Sequence, residues 1–510
     1  MTRRGPVVLL LPILIAGAVV IDQRDDAGSR RARADAADSE VERSRAMAVA
    51  APDDAFSSTW FCAGGATSGD DENSHVVVVA NPTDEVVDGS VTAVPSRGRS
   101  RTDPLRVPAH DRLVVDLAGL AQAPLVAATL EFAGGEVAVE HQVSGPTGVD
   151  VAPCATSGSD TWYFAAGATT RDADETLVLF NPFADDASLD ISFATADGRR
   201  VPAAFQGIQV PARSVVATRV TPVVTVRDQV STSIVARSGR VVAERIQTYD
   251  GRGASTTEQG AADEPYRPEG LTITPGVPRP ATAWMFPVGV KDDGVHERYV
   301  VYNPSNREAD VDVVVTLDDP ERNGEIDPFQ LPLPPRSFGV VDLDAEDRVP
   351  TKVGHAAVVV ARNGVPVVAE RLLAATEPST TTDTAASPGS TLAARRWVFA
   401  VGGTVDARQQ TSIALQNPGP GDVVVRIALL DRGGQSVSDG FGPITLGAFG
   451  HATVDLAETV EDAAFSLLVT ADGPVASERL VGRRGTSLST AVGVPLTDGL
   501  VAVGPAAAGG

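Results

Sequence analysis

The chain has 510 residues, 48 of them glycine and 36 proline, with four tryptophans, five tyrosines and a formal net charge of -24. That acidic balance argues against nucleic acid or other anionic polymers as partners, and there is no basic stretch with interleaved aromatics. The two cysteines and six histidines show no zinc spacing, nucleophile elbow or phosphate-cradling loop, so the sequence offers no catalytic residue, metal ligand or cofactor motif.

At the N-terminus Arg3 and Arg4 precede an apolar run from Pro6 to Ile21, and Asp22, Asp25 and Asp26 follow it. Positive charge ahead of an apolar run is an export signal that leaves the basic end inside. The reading is a signal anchor over residues 1–21, a single pass in the cell membrane with the bulk of the chain extracytoplasmic. Secretion after cleavage is the alternative, at Ala16-Gly17-Ala18 or, further down, at Ala48-Val49-Ala50. Residues 22–55, charged and Ala-rich, read as a stalk.

From there a Trp phrase occurs four times, beginning at Trp60, Trp162, Trp284 and Trp397, and it uses every tryptophan in the chain. Each copy is followed, in the same order, by an apolar strand ending in Asn-Pro (Asn81, Asn181, Asn303, Asn417), a Val-Pro-like corner, and a hairpin ending in Val-x-x-Glu-Arg (Glu140, Glu244, Glu370, Glu478). Repetition at this period means four related units, read as 56–155, 156–277, 278–390 and 391–497, with 498–510 as a disordered tail. Short Val-rich runs of period two, separated by Gly, Pro, Asn and Asp, make each unit all-β. Roughly 100 residues with six to eight strands is the size of an immunoglobulin-like β-sandwich. A β-propeller with two blades per unit is the competing arrangement, disfavoured because the phrases do not recur at half the period.

Cys62 occupies the position held by Phe164, Phe286 and Phe399 in the other units, and Cys154 occupies that of Gly276, Gly389 and Gly493. A Phe ring packed over a glycine in three units, replaced by a disulfide in the first, explains both substitutions and suits an exported chain. On this logic the polar stretches Asp250–Gly270 and Glu377–Thr391 are loops inside a unit, ahead of its last strand, and not linkers.

Three recurrent polar features read as structural. The Asn of Asn-Pro bonds its own turn. The recurrent Glu lies at a strand end beside apolar residues and needs a partner, such as the adjacent Arg or the Trp indole N–H. The acidic loops (Asp70-Asp71-Glu72, Asp172 with Asp174 and Glu175, Asp292-Asp293, Asp406) vary in spacing, which fits solvated turns better than calcium sites. With each Trp locked at an equivalent site beside an apolar strand, little remains for stacking on sugars.

The signal anchor, the polar stalk and the ordered Trp-x-Phe-Ala-x-Gly, apolar-Asn-Pro, Val-Pro-x-x-Ser and Val-Val-Ala-Glu-Arg phrases resemble an actinobacterial family of uncharacterised, exported cell-envelope proteins with a domain of unknown function. The resemblance covers residues 56 to about 500. It implies an exported β-rich protein and carries over no catalytic residue. The expected role is non-enzymatic: a spacer, scaffold or partner-binding array acting on an envelope protein or cell-wall polymer. A glycan- or peptidoglycan-binding module is the alternative, and an enzyme with a site between units is a third reading.

Overall fold

The structure is a computed structural model that describes residues 39–42, 45–69, 72–252, 268–318, 326–379, 381–402, 409–430, 436–437, 441–456, 465–483 and 487–508. The first unit shows the plan. Its strands are β1 (Ser58–Gly65), β2 (Ser74–Asn81), β3 (Val87–Pro95), β4 (Arg101–Val107), β5 (Asp111–Asp116), β6 (Val126–Phe132), β7 (Ala138–Gly145) and β8 (Gly148–Pro153). They form two antiparallel sheets, β1-β6-β3-β4 and β5-β2-β7-β8, which pack face to face as a sandwich.

The other three units repeat this plan. In the third, the sheets are Ala283–Phe286 with His355–Ala361, Ala309–Leu317 and Phe329–Leu333, and Phe338–Asp342 with Val295–Tyr302, Val368–Ala375 and Asp383–Pro388. In the fourth, one strand of 18 residues, Ser466–Arg483, runs through both sheets. The sheets exchange strands across the sandwich, whereas a propeller blade is a meander of consecutive strands. Among the described residues there is neither a propeller nor a closed barrel.

The Trp phrase is apolar at successive positions because both faces of its strand are covered. Trp60 and Cys62 enter the first unit's own core, while Phe61 and Ala63 pack with Leu179 and Phe180 of the second unit. The same sharing continues round the molecule. Ala165 and Ala166 of the second unit join the third unit's core, and Ala393 and Ala476 of the fourth pack on Ala283 and Met285 of the third. Val398, Ala400 and Val401 of the fourth unit enter the core of the first. The four sandwiches therefore close into a ring.

Each unit ends by returning its last segment to its own Trp strand, with Phe61 opposite Ala155, Tyr163 opposite Val277, Met285 opposite Ser390 and Val398 opposite Val494. A Cβ added at Gly276 would lie 3.1 Å from the Phe164 ring, and one at Gly389 or Gly493 would lie 2.7 Å from Phe286 or Phe399. No side chain other than hydrogen fits under those rings. In the first unit the Cys62–Cys154 disulfide takes this place, with a Cα–Cα distance of 4.7 Å.

Two expectations for the ends are corrected. Residues 45–50 are not a solvated stalk. Ala46, Val49 and Ala50 are buried, the Ala46 amide meets the Thr391 hydroxyl, and the Ala50 amide donates to Pro495. A chain this rich in Ala and Val packs wherever an apolar groove is available. The tail is likewise docked, with Val503 and Ala507 buried against the third and fourth units. The export run, residues 1–21, lies outside the described residues, and no helix among those described is long and apolar enough to cross a membrane.

The repeat supplies a direct check on the staple. The double variant Cys62→Phe, Cys154→Gly is expected to fold and to melt at the same temperature with or without dithiothreitol. The wild type should lose about 2–5 kcal/mol on reduction. A double variant that fails to fold would show that the Phe-over-Gly contact is not what the disulfide replaces.

Candidate functional site at the unit junctions

On a β-strand successive side chains point to opposite faces. The Glu-Arg pair of the second, third and fourth hairpins (Glu140-His141 in the first) sits mid-strand, so its two side chains point to different neighbours. Glu370 of the third unit reaches back to the second, where it accepts from the amides of Ala165 (2.7 Å) and Ala166 (3.2 Å) and from Arg245 (2.9 Å). Arg371, the next residue, reaches forward to Glu478 of the fourth unit at 2.6 Å. Glu478 also accepts from the Val288 amide and the Ser387 hydroxyl. Arg479 closes the cycle on Glu140 of the first unit at 3.1 Å, and Glu140 accepts from the Val401 amide at 2.6 Å. Each arginine also donates to a carbonyl at the end of its own Trp strand: Ala166, Val288 or Val401.

All four glutamates and all three arginines are buried. Removing a carboxylate from water costs several kcal/mol, and it is tolerated here because amides and a guanidinium replace the lost hydration. Burial still pushes the Glu478 carboxyl above its ordinary value, with Arg371 opposing. The expectation that each Glu pairs with its own neighbouring Arg or with a Trp indole is corrected. The indoles of Trp162, Trp284 and Trp397 donate instead to the carbonyls of Val241, Val367 and Val475 within their own units. All four tryptophans, including Trp60, are buried.

The asparagines have a separate, local task. The Asn81 amide donates to the carbonyls of Glu85, Val107 and Pro108, and its oxygen accepts from Thr83. Asn181, Asn303 and Asn417 repeat this, each tying its Asn-Pro turn to the Val-Pro-like corner.

The last strand of each unit (β8, Glu269–Pro275, Asp383–Pro388 and Ser487–Val492) faces the ring axis. These are edge strands, and their free amides are met by side chains instead of a fifth strand. Asp150 accepts from the Ile273 amide and the Ser489 hydroxyl, so it spans the second and fourth units. Asp383 accepts from the Leu488 amide. Burial pushes Asp150 up to about 7 and Asp383 up to about 8. At one end of the axis a cavity of about 60 Å³ is lined by Pro153-Cys154, Pro275-Gly276, Pro388-Gly389 and Val492-Gly493, and crossed by Ala46, Met47 and Ala48.

The acidic loops do not converge. Asp174 pairs with Arg219 and Asp293 with Lys352, while Asp70, Asp71 and Asp406 lie outside the described residues. Among the described residues no three His, Cys, Asp or Glu side chains are placed to hold a metal ion. Asp172 and Glu175 depart from the reading as solvated turn, both being buried in the second unit, where desolvation raises the Glu175 carboxyl to about 8. Asp150, Asp383 and His75 are not marked by the sequence pattern: the two acids stand at different positions of their repeats, and the position of His75 holds Glu175, Glu297 and Thr411 in the other units, so no one residue type recurs.

The fold and these junctions define a class: an all-β protein of tandem sandwiches closed into a ring by buried ion pairs. The family described as "Family of unknown function (DUF5719)" matches residues 127–408, more than half of the chain, and the chain belongs to it. No curated protein matches it in sequence. Among solved structures, the Thermotoga maritima 1070 protein is 17% identical over 22% of this chain and 95% of its own, with a TM-score of 0.19. The Anabaena sensory rhodopsin transducer is 21% identical over 18% of this chain and 94% of its own, with a TM-score of 0.16. A tetra-tandem repeat from the extending region of a large adhesion protein covers 82% of this chain and 94% of its own at 13% identity, with a TM-score of 0.10. At such scores the likenesses support no conclusion.

Two outcomes follow from the junctions. Glu370→Gln leaves Arg245 buried without its anion and should lower stability by about 3–5 kcal/mol in urea melts, against under 1 kcal/mol for a surface change such as Glu85→Gln. The axial acids give a sign for pH. Their folded pKa values are raised, so their contribution is full below the unfolded value and is lost as pH rises through about 7 for Asp150 and about 8 for Asp383. His75, which burial lowers well below its ordinary value, works the other way and loses its contribution on acidification. The urea midpoint should therefore be higher at about pH 6 than at about pH 9. The opposite order would contradict the axial placement of these acids.

Proposed function

We propose that the chain is a non-enzymatic, extracytoplasmic scaffold of the cell envelope that binds a partner through the loops of a rigid ring. The observation that carries this reading is the closed cycle of buried contacts between each recurrent Glu and the Arg or His of the preceding unit, with Arg479 of the fourth unit meeting Glu140 of the first. Four sandwiches locked to both neighbours act as one body. A closed body suits a scaffold better than the extended spacer that four beads on a string would make. The buried charges are paired with protein groups and face no solvent, which suits a structural task and not turnover. The disulfide fits an oxidising compartment, and the basic-apolar N-terminus fits tethering by residues 1–21. The phrases shared with an actinobacterial envelope family support the same location. Burial of all four tryptophans weighs against stacking on glycans.

The test has two arms. A phosphatase reporter fused after Gly510 should be active only outside the cytoplasm, and crosslinking in cells should trap a protein partner while purified cell wall leaves the chain in the supernatant. A silent phosphatase would remove the extracytoplasmic reading. Sedimentation with cell wall would replace the protein-binding scaffold with a glycan-binding module.

A further inference from the structure

The first unit departs from the others at two places: the Cys62–Cys154 pair replaces the phenylalanine and glycine, and His141 replaces the arginine that follows the recurrent glutamate. The second change alters the chemistry of one junction. His141 lies with its Nε2 3.3 Å from Glu244 Oε1, a close ion contact but not an aligned hydrogen bond, and Glu244 also accepts from the Ala63 amide at 3.1 Å. On its other side His141 Nδ1 is 3.0 Å from His75 Nε2, and His75 Nδ1 is 2.9 Å from the Val126 carbonyl. His75 and His141 are buried.

The acceptors fix the protons. A carbonyl only accepts, so His75 carries its hydrogen on Nδ1. Burial and the neighbouring ring keep His75 neutral, which leaves its Nε2 bare. His141 Nδ1 must then donate to it. With Glu244 ionised, a bare His141 Nε2 would turn its lone pair on a buried carboxylate, so that nitrogen carries a hydrogen as well. On this assignment His141 is an imidazolium, occupying the role of Arg245, Arg371 and Arg479.

We propose that the junction between the first and second units is a pH-labile seam in the ring, closed by a proton on His141 where the other three junctions use a guanidinium that does not titrate. The groups around the pair are Glu244 from the second unit, the Val126 carbonyl from β6, the Ala63 amide from β1 and His75 from β2. Glu140, next to His141 on β7, points the other way to Arg479. Raising the pH removes the His141 proton and leaves Glu244 without its cation. Strong acid protonates His75 and sets two imidazolium rings against each other with nitrogens 3.0 Å apart. Either change loosens the contact between the first two sandwiches, while the disulfide keeps β1 stapled to its own unit.

Hydrogen exchange of the full chain reads the seam locally. At about pH 9, peptides over residues 60–65 and 241–247 should exchange about tenfold faster, relative to about pH 6.5 and after correction for intrinsic rates, than the matching peptides over 162–167 and 367–373. In H141R that excess should vanish. The axial acids ionise over the same range, so the decisive comparison is between H141R and wild type at one pH. Independently of any variant's folding, 15N shifts of the His141 imidazole in the wild type at about pH 7 should show both nitrogens protonated. A neutral His141 ring, or an H141R profile identical to wild type, would overturn the proposal.

Discussion

The structure depends on one arrangement: a buried carboxylate that accepts from the amides of the neighbouring Trp strand and from a cation beside them. A sandwich normally covers one face of each sheet and leaves the other to water. Here the outer face of each Trp strand is apolar too, so each unit must find a neighbour. The hydrophobic effect supplies the drive but not the register. The glutamate supplies the register, because its two oxygens fit the end of the Trp strand in one way. An error would leave a carboxylate and a guanidinium buried without each other, which costs about 3–5 kcal/mol.

Ring closure follows from that requirement. If the units formed an open row, Arg479 and Glu140 at its ends would each lack a partner. Bringing the fourth unit onto the first satisfies both, and it also buries Val398, Ala400 and Val401 in the first unit's core. The four edge strands then converge on the axis, where Asp150 and Asp383 take up amides that would otherwise be orphaned. Carboxyls in so enclosed a place titrate near neutrality, so the acids that complete the ring also make it sensitive to pH.

Much of this was legible in the sequence, for identifiable reasons. The Trp phrase, the Asn-Pro turn and the Phe-over-Gly contact are short patterns repeated in register, and a change in one copy is informative against the others. Cys62 and Cys154 stood out that way, and the disulfide is present. The partner of the recurrent glutamate was not legible. Glu370 and Arg371 are adjacent in the chain and invite pairing with each other, yet strand alternation sends them to different units. The contact between Glu140 and Arg479 spans 339 residues, and nothing local announces it. The axial acids were hidden because Asp150 and Asp383 occupy different positions of their repeats. The docked segment at residues 45–50 looks like stalk in the sequence because charge dominates the residues before it, while its own Ala and Val content matches an apolar groove.

Closure of the fourth unit onto the first is the claim on which the rest stands. A double-mutant cycle of Glu140→Gln and Arg479→Met, followed by urea unfolding of the full chain, measures it directly. A closed ring requires the two changes to be coupled by about 1–3 kcal/mol, because the second substitution removes a charge the first has already stranded. Strictly additive losses would mean that the two side chains do not meet, and the ring would be open.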